Sequence, residues 1–287
     1  MIVNHYTVSE EVGPGGGSTS ARSAAHCRTK QDLVTRNHAW TAGCQAALPT
    51  DLAHNEIHLW HRTRWPLPAE GDRLYALLSS EEQHRLPTFA LERQRLAFVA
   101  VRGTLRALLG HYLDLPPASV RFRYGPDGKP HLDHPGVSLC FNVTHAGQWI
   151  WYALSRETDL GVDLEEIRPA PPAKRLHLAR RFFASAEAAA LAALPTAQVN
   201  EAFFACWTRK EAYIKRHGAS LARLLTQFTV SVDPAQPARL LATPWQPADV
   251  DCCQLHDLPA PAGYRAALAL AATTPFSVCR WPWPETI

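Results

Sequence analysis

The sequence predicts an α+β fold in two comparable halves. Three observations carry this reading: a long helical period in each half (residues 91–112 and 199–217), short strand-like runs between residues 120 and 164, and a return to such runs at 228–232 and 264–271. The order of helix and strand signals is that of an α+β fold. A length of 287 residues suits one large domain or two ordinary ones.

Residues 1–53 show no sustained period and contain the Gly- and Ser-rich run 13–20, so they read as a disordered extension outside the fold. A strand at 56–60 follows, with Ile57 and Leu59 on one face and His58 on the other. In the helix at 91–112, Leu91, Phe98, Val101, Leu105 and Leu108 recur near helical spacing, and Leu115, Pro116 and Pro117 end it. Strands are expected at 120–124, 138–143, 149–154 and 160–164, with a turn at 126–128. After the Pro-rich break at 169–172 come a helix at 174–183, a second capped by Ser185 with Glu187 in its first turn, and the long helix at 199–217. The expected division is an N-terminal subdomain at 54–157 and a C-terminal one at 158–287, with the active site at their interface.

Composition bounds the function. With 46% apolar and 19% charged residues the chain has the make-up of a folded globular protein. A formal charge of +3 is too weak a bias for a nucleic-acid partner without a clustered basic face. Arginines 93–106 form the one basic stretch, and phosphates of a small ligand account for it more simply. Seven scattered cysteines without a CxxC pair argue against a disulfide framework or structural zinc, and for a reducing cytoplasm. No apolar run reaches the roughly 18 residues of a membrane span.

Three short patterns carry chemistry. In Gly161-Val162-Asp163-Leu164-Glu165 a strand turns both carboxylates to one face, roughly 6.5–7 Å apart, a gap that admits one cation. Magnesium takes oxygen ligands and keeps water and substrate phosphate in its shell, so two or three carboxylates suffice. Taken alone, an acidic pair on a strand is more often a solvated face. Glu166 points away from the pair and is left out of the site. In the helix at 199–217, Glu211 and Lys215 share a face while Phe203, Cys206, Tyr213 and Ile214 turn inward. An isolated pair of this kind is ordinarily an ion pair of a few tenths of a kcal/mol. In Phe141-Asn142-Val143-Thr144-His145, a strand delivers a hydroxyl, an imidazole and free backbone amides to one end, a combination suited to phosphate.

Read together with Gly128-Lys129-Pro130 and Trp207-Thr208-Arg209-Lys210-Glu211-Ala212-Tyr213-Ile214-Lys215, these segments resemble the ordered signature of the Sfp-type 4′-phosphopantetheinyl transferases. Arg181-Phe182-Phe183 falls where that family has a similar stretch, and the resemblance covers about residues 56–272. It implies a pseudo-twofold arrangement of two similar α/β subdomains with coenzyme A, the substrate, in the cleft between them. It also implies magnesium (or manganese) on Asp163, Glu165 and Glu211, phosphate contacts from Thr144 and His145, and an adenine and ribose end lined by Lys129 and Pro130. The reaction implied is transfer of 4′-phosphopantetheine to a serine of an apo acyl or peptidyl carrier protein, releasing 3′,5′-ADP. Asp163, Glu211 and Lys215 are then the catalytic set, Glu211 as base for the serine and Lys215 beside the leaving phosphate.

The sequence departs from the family at several points. Thr144 replaces the commoner serine and keeps its hydroxyl. Gly218-Ala219-Ser220-Leu221 stands for a Gly-x-Gly-Leu loop, which makes that loop less tolerant of positive φ. At the positions that grip the 3′-phosphate, this chain has Glu82, Arg85 and Ala97, so Arg85 is carried over and Arg93, Arg95 or Arg102 are candidates to complete the grip. The alternative is a non-catalytic module of the same fold that binds coenzyme A or a carrier protein; the presence of all three carboxylates weighs against it. The expected state is a cytoplasmic monomer with no nucleic-acid or membrane partner.

Overall fold

The structure, a computed structural model, describes residues 34–37, 49, 51–63, 68–218 and 224–284. Its strands are β1 (Val34–Asn37), β2 (Glu56–Thr63), β3 (Phe122–Tyr124), β4 (Pro130–Leu132), β5 (Leu139–Ala146), β6 (Trp149–Arg156), β7 (Leu160–Glu166), β8 (Thr229–Val230), β9 (Leu240–Ala242), β10 (Cys253–Leu258), β11 (Tyr264–Ala271) and β12 (Ser277–Pro282). The helices are α1 (Pro68–Ala76), α2 (Ser80–Arg85), α3 (Glu92–Leu113), α4 (Pro172–Phe182), α5 (Ser185–Ala193), α6 (Val199–His217) and the single turn α7 (Asp249–Cys252).

Two sheets lie face to face between two long helices. The larger has the order β1-β12-β2-β6-β5, the smaller β10-β11-β7. Alternation along each strand sends one set of side chains outward and the other into the space between the sheets. Ile57, Leu59, Trp151, Ala153 and Val278 of the larger sheet thus meet Val162, Leu164, Ala266, Leu268 and Leu270 of the smaller. The opposite face of the larger sheet, with Trp60, Ile150, Tyr152 and Leu154, takes Leu105, Leu108 and Leu109 of α3. Ala267 and Ala269, on the outer face of the smaller sheet, pack with Phe203, Cys206, Tyr213 and Ile214 of α6. The layer order is therefore α3, larger sheet, smaller sheet, α6. The expected α+β class holds.

Element ends have local causes. α3 closes at Asp114, which adopts a left-handed conformation (φ 53°) ahead of the prolines that cannot extend the helix. The cap expected at Ser185 lies one residue earlier, at Ala184, whose amide donates to the Glu187 carboxylate. Glu187 does more than complement a helix dipole. It is buried, receives both contacts of Lys210 at 2.7 Å, and also accepts the Val230 amide, tying α5, α6 and β8 together. Removing either partner of such a pair leaves an uncompensated buried charge.

Contacts cross both expected divisions of the chain. Within residues 1–53, Val34–Asn37 pairs in parallel with β12, and Leu52 is 1% exposed in the core beneath α3. The extension therefore contributes to the fold at these points. The C-terminal half is not self-contained either, because β12 lies between β1 and β2 in the larger sheet, parallel to both.

Candidate active site

The site forms where β5 meets the free edge of β7. No backbone ladder joins them. Instead the Asn142 side-chain oxygen accepts the Val162 amide (2.9 Å) and the Thr144 hydroxyl accepts the Leu164 amide (3.2 Å), so two side chains satisfy edge amides that would otherwise be buried without partners. This seam turns Asp163 and Glu165 toward α6, while Val162 and Leu164 face the core.

β7 and α6 touch backbone to backbone. A Cβ on Gly161 would run into the Ala212 carbonyl oxygen and the Arg216 amide nitrogen, so only glycine permits this approach. The last turn of α6 is fixed from outside by Asp249, which accepts from Tyr213 (2.8 Å), Arg216 (2.8 Å) and, at 2.7 Å, the His217 ring. Gly218, with φ 66°, ends the helix. Glu211 and Lys215, one turn apart, thereby come to stand over Asp163.

The residues assigned site roles from the sequence line one cavity of about 1070 Å³: Arg85, Lys129, Pro130, Thr144, His145, Asp163, Glu165, Glu211 and Lys215. Glu166, which strand alternation would point elsewhere, also reaches its wall and lies 3.6 Å from Arg168. Arg102 lines the cavity, whereas Arg95 turns to the Phe89 carbonyl. Ala219, Ser220 and Leu221 lie outside the described residues.

Three acids crowd this wall. Asp163 is 3% and Glu211 8% exposed. Burial raises the Asp163 carboxyl, although Lys215 opposes the effect. Burial and then the neighbouring Asp163 push Glu165 up to about 7. Glu211 is raised well above the usual range by burial, then by Asp163 and Glu165. Lys215 is held up: burial would lower it, but Asp163 and Glu211 prevail. Its ammonium donates to Asp163 Oδ1 (2.6 Å) and Thr144 Oγ1 (3.1 Å). Asp163 Oδ2 is buried with no hydrogen-bond partner.

Among the described residues, no group of three or more His, Cys, Asp or Glu side chains forms a metal cage by itself. In kind, the donors suit magnesium: they are oxygens only, Glu165 and Glu211 are raised by neighbouring acids that a cation would relieve, and Asp163 Oδ2 is buried without a partner, while substrate phosphate supplies part of such an ion's shell.

Two residues expected at the ligand also have protein partners. The Thr144 hydroxyl, while lining the cavity, donates to Asp163 Oδ1 (3.2 Å). The Lys129 ammonium donates to the carbonyls of Arg216 (2.6 Å) and Leu160 (3.3 Å), so it ties the hairpin of β3 and β4 to α6 and β7, and the residue lines the cavity. Burial lowers its pKa.

Sequence reasoning left Arg102 open among three arginines and missed its setting. Its Nε pairs with Glu82 (3.1 Å), its Nη2 donates to Tyr124 (3.0 Å), and its Nη1 is buried without a partner. Glu82, at a position expected to be basic, instead orients Arg102 and Arg106. A second basic wall, with Lys174, Arg175 and Arg181 of α4, also went unassigned. The absence of any acid in α4 was the available signal.

Residues 159–269 match the model of the 4′-phosphopantetheinyl transferase superfamily, and residues 63–157 match that of the 4′-phosphopantetheinyl transferase N-terminal region. The chain is 38% identical over 198 residues to the 4′-phosphopantetheinyl transferase HetI of Nostoc sp., an alignment covering 67% of this chain and 81% of that protein. It is 36% identical over 173 residues to the 4′-phosphopantetheinyl transferase AcpT of Escherichia coli K12 (60% of this chain, 75% of AcpT). Against a 4′-phosphopantetheinyl transferase of Bacillus subtilis the identity is 29% over 167 residues (58% and 71%). With fold, cavity and acids in place, these matches establish that the chain belongs to the 4′-phosphopantetheinyl transferase superfamily and is an enzyme of that class.

Proposed function

We propose that this cavity carries the reaction of the superfamily with coenzyme A as donor and the serine of an apo acyl or peptidyl carrier protein as acceptor. The single observation that carries the assignment of roles is the convergence of Asp163, Glu165, Glu211 and Lys215, drawn from β7 and α6, on one cavity wall. The cavity takes residues from both halves of the chain, in keeping with two similar subdomains related by a pseudo-twofold axis. In support, each half sets one long helix against antiparallel strands.

In this reading Asp163, Glu165 and Glu211 hold magnesium or manganese. When bound, the ion neutralises charge that builds on the pyrophosphate oxygens. The serine oxygen attacks the β-phosphorus, the bond to the bridging oxygen breaks, and 3′,5′-ADP leaves. Glu211, directly or through a water, takes the serine proton. The Lys215 ammonium stabilises or protonates the departing phosphate. His145 contacts a phosphate oxygen, and Pro130 with the Lys129 stem lines the adenosine end. Arg85 and Arg102 hold the 3′-phosphate, Arg102 through its unpartnered Nη1.

Among the described residues no helix is long and apolar enough to cross a membrane, and none of the described cysteines is in a disulfide. A cytoplasmic monomer is the state we assign. The test is to incubate the protein with coenzyme A, magnesium and several apo carrier proteins and to look by mass spectrometry for addition of one phosphopantetheine. Glu211→Gln and Asp163→Ala abolish the product in this reading. Product unaffected by either change would refute these roles, and no product with any carrier would favour a binding module.

A further inference from the structure

Thr144 stands in the centre of the seam between β5 and β7 and is 3% exposed. A threonine hydroxyl offers one proton and two lone pairs. All three are committed. The proton goes to Asp163 Oδ1 at 3.2 Å, and the lone pairs receive the Leu164 amide at 3.2 Å and the Lys215 ammonium at 3.1 Å. A phosphate oxygen is an acceptor, and this hydroxyl has no second proton to give it.

Around Asp163 the arrangement is one-sided. Oδ1 receives both Thr144 and Lys215, while Oδ2 is buried and receives nothing. Asn142, two residues earlier on the same strand, makes the matching bond to the Val162 amide. Thr144 is thus distinguished from its neighbour by bridging a backbone amide, a carboxylate and an ammonium at once.

We infer that Thr144 is a positioning residue: its hydroxyl fixes which oxygen of Asp163 is presented to the cation and holds Lys215 in register with it. The inference rests on the reading of Asp163 as a metal-binding carboxylate. A group that orients a metal ligand acts on metal affinity, whereas a phosphate ligand acts on nucleotide affinity, so the two roles separate in measurement.

The test compares wild type, Thr144→Val and Thr144→Ser. Binding of Mn²⁺ is followed by electron paramagnetic resonance without coenzyme, and binding of 3′,5′-ADP by calorimetry in EDTA. Thr144→Val is expected to weaken Mn²⁺ binding roughly 10- to 100-fold and Thr144→Ser to stay within about threefold of wild type, the usual scale for partners of metal ligands. Metal-free binding of 3′,5′-ADP is expected to be unchanged in both. Weaker 3′,5′-ADP binding with unaltered Mn²⁺ binding in Thr144→Val would overturn the inference and restore a phosphate contact. Wild type that binds no Mn²⁺ would instead sink the metal reading itself. Should Thr144→Val fail to fold, Thr144→Ala carries the same comparison; if neither folds while Thr144→Ser does, the hydroxyl serves the fold and the inference is overturned.

Discussion

Lys215 Nζ stands 2.6 Å from Asp163 Oδ1, an ion pair that joins the last turn of α6 to the middle of β7. It is the cation through which three crowded carboxyls coexist in the absence of a metal. Lys215→Met is therefore expected to destabilise the metal-free protein by about 3 kcal/mol, the scale for breaking a largely buried pair. Magnesium binding is expected to tighten, since a like charge no longer stands beside the cation. Transfer should fall roughly 10²- to 10⁴-fold, the usual contribution of a positioned acid. Urea unfolding with and without magnesium, alongside transfer assays, checks all three.

Glu165 gives a dependence on pH with a definite sign. Its carboxyl is raised from an ordinary 4.5 to about 7 by burial and by Asp163, so the folded chain keeps a proton that the unfolded chain releases. That contribution to stability is complete below pH 4.5 and is lost as pH rises to 7. Metal-free wild type should thus lose stability relative to Glu165→Gln over this window. Magnesium binding should strengthen over the same window and release protons, seen as a buffer-dependent binding enthalpy in calorimetry.

Gly161→Ala tests the contact between β7 and α6. The new Cβ meets backbone atoms of Ala212 and Arg216, which cannot swing aside as a side-chain end would. Overpacking of this sort costs about 1–3 kcal/mol and displaces the elements concerned. Transfer should fall further than stability alone accounts for, because the displaced strand carries Asp163 and Glu165. Activity measured well below the melting temperature separates the two effects.

Arg102→Ala addresses the far end of the cavity. Loss of a hydrogen bond to a charged group is worth about 1.5–3 kcal/mol, so KM for coenzyme A should rise roughly 10- to 100-fold. The same variant should be indifferent with 3′-dephospho-coenzyme A. Equal losses with both substrates would mean that Arg102 serves only to pair with Glu82.

The site was legible where its residues lie close together on one regular element. Asp163 and Glu165 share a strand face, and Glu211 and Lys215 a helix face, so periodicity alone grouped them within each element. That the two groups belong together came only from the family resemblance, and the contacts that hold their elements in place were not legible. Lys129 and the Arg216 carbonyl are 87 positions apart, and no local pattern says that an ammonium will serve a helix end and not a ligand. The partners of Thr144 were hidden for a related reason: its residue type suits phosphate, and nothing local shows that Leu164, Asp163 and Lys215 all hydrogen-bond to it. Strand periodicity likewise identifies a face and never a neighbour, so nothing in residues 277–282 announced their place between β1 and β2.

That place makes the order of synthesis matter. Most of the larger sheet leaves the ribosome early, yet its inner strand follows only after the entire second half has been made. Until then β2 keeps an open edge, and the seats of Val278 and Trp283 stay vacant, the kind of surface that invites mispairing. Neither half is a separable fragment. Cutting the polypeptide between β6 and β7 would yield two pieces that must find each other again, and deleting β12 would undo the half that is remote from it in sequence.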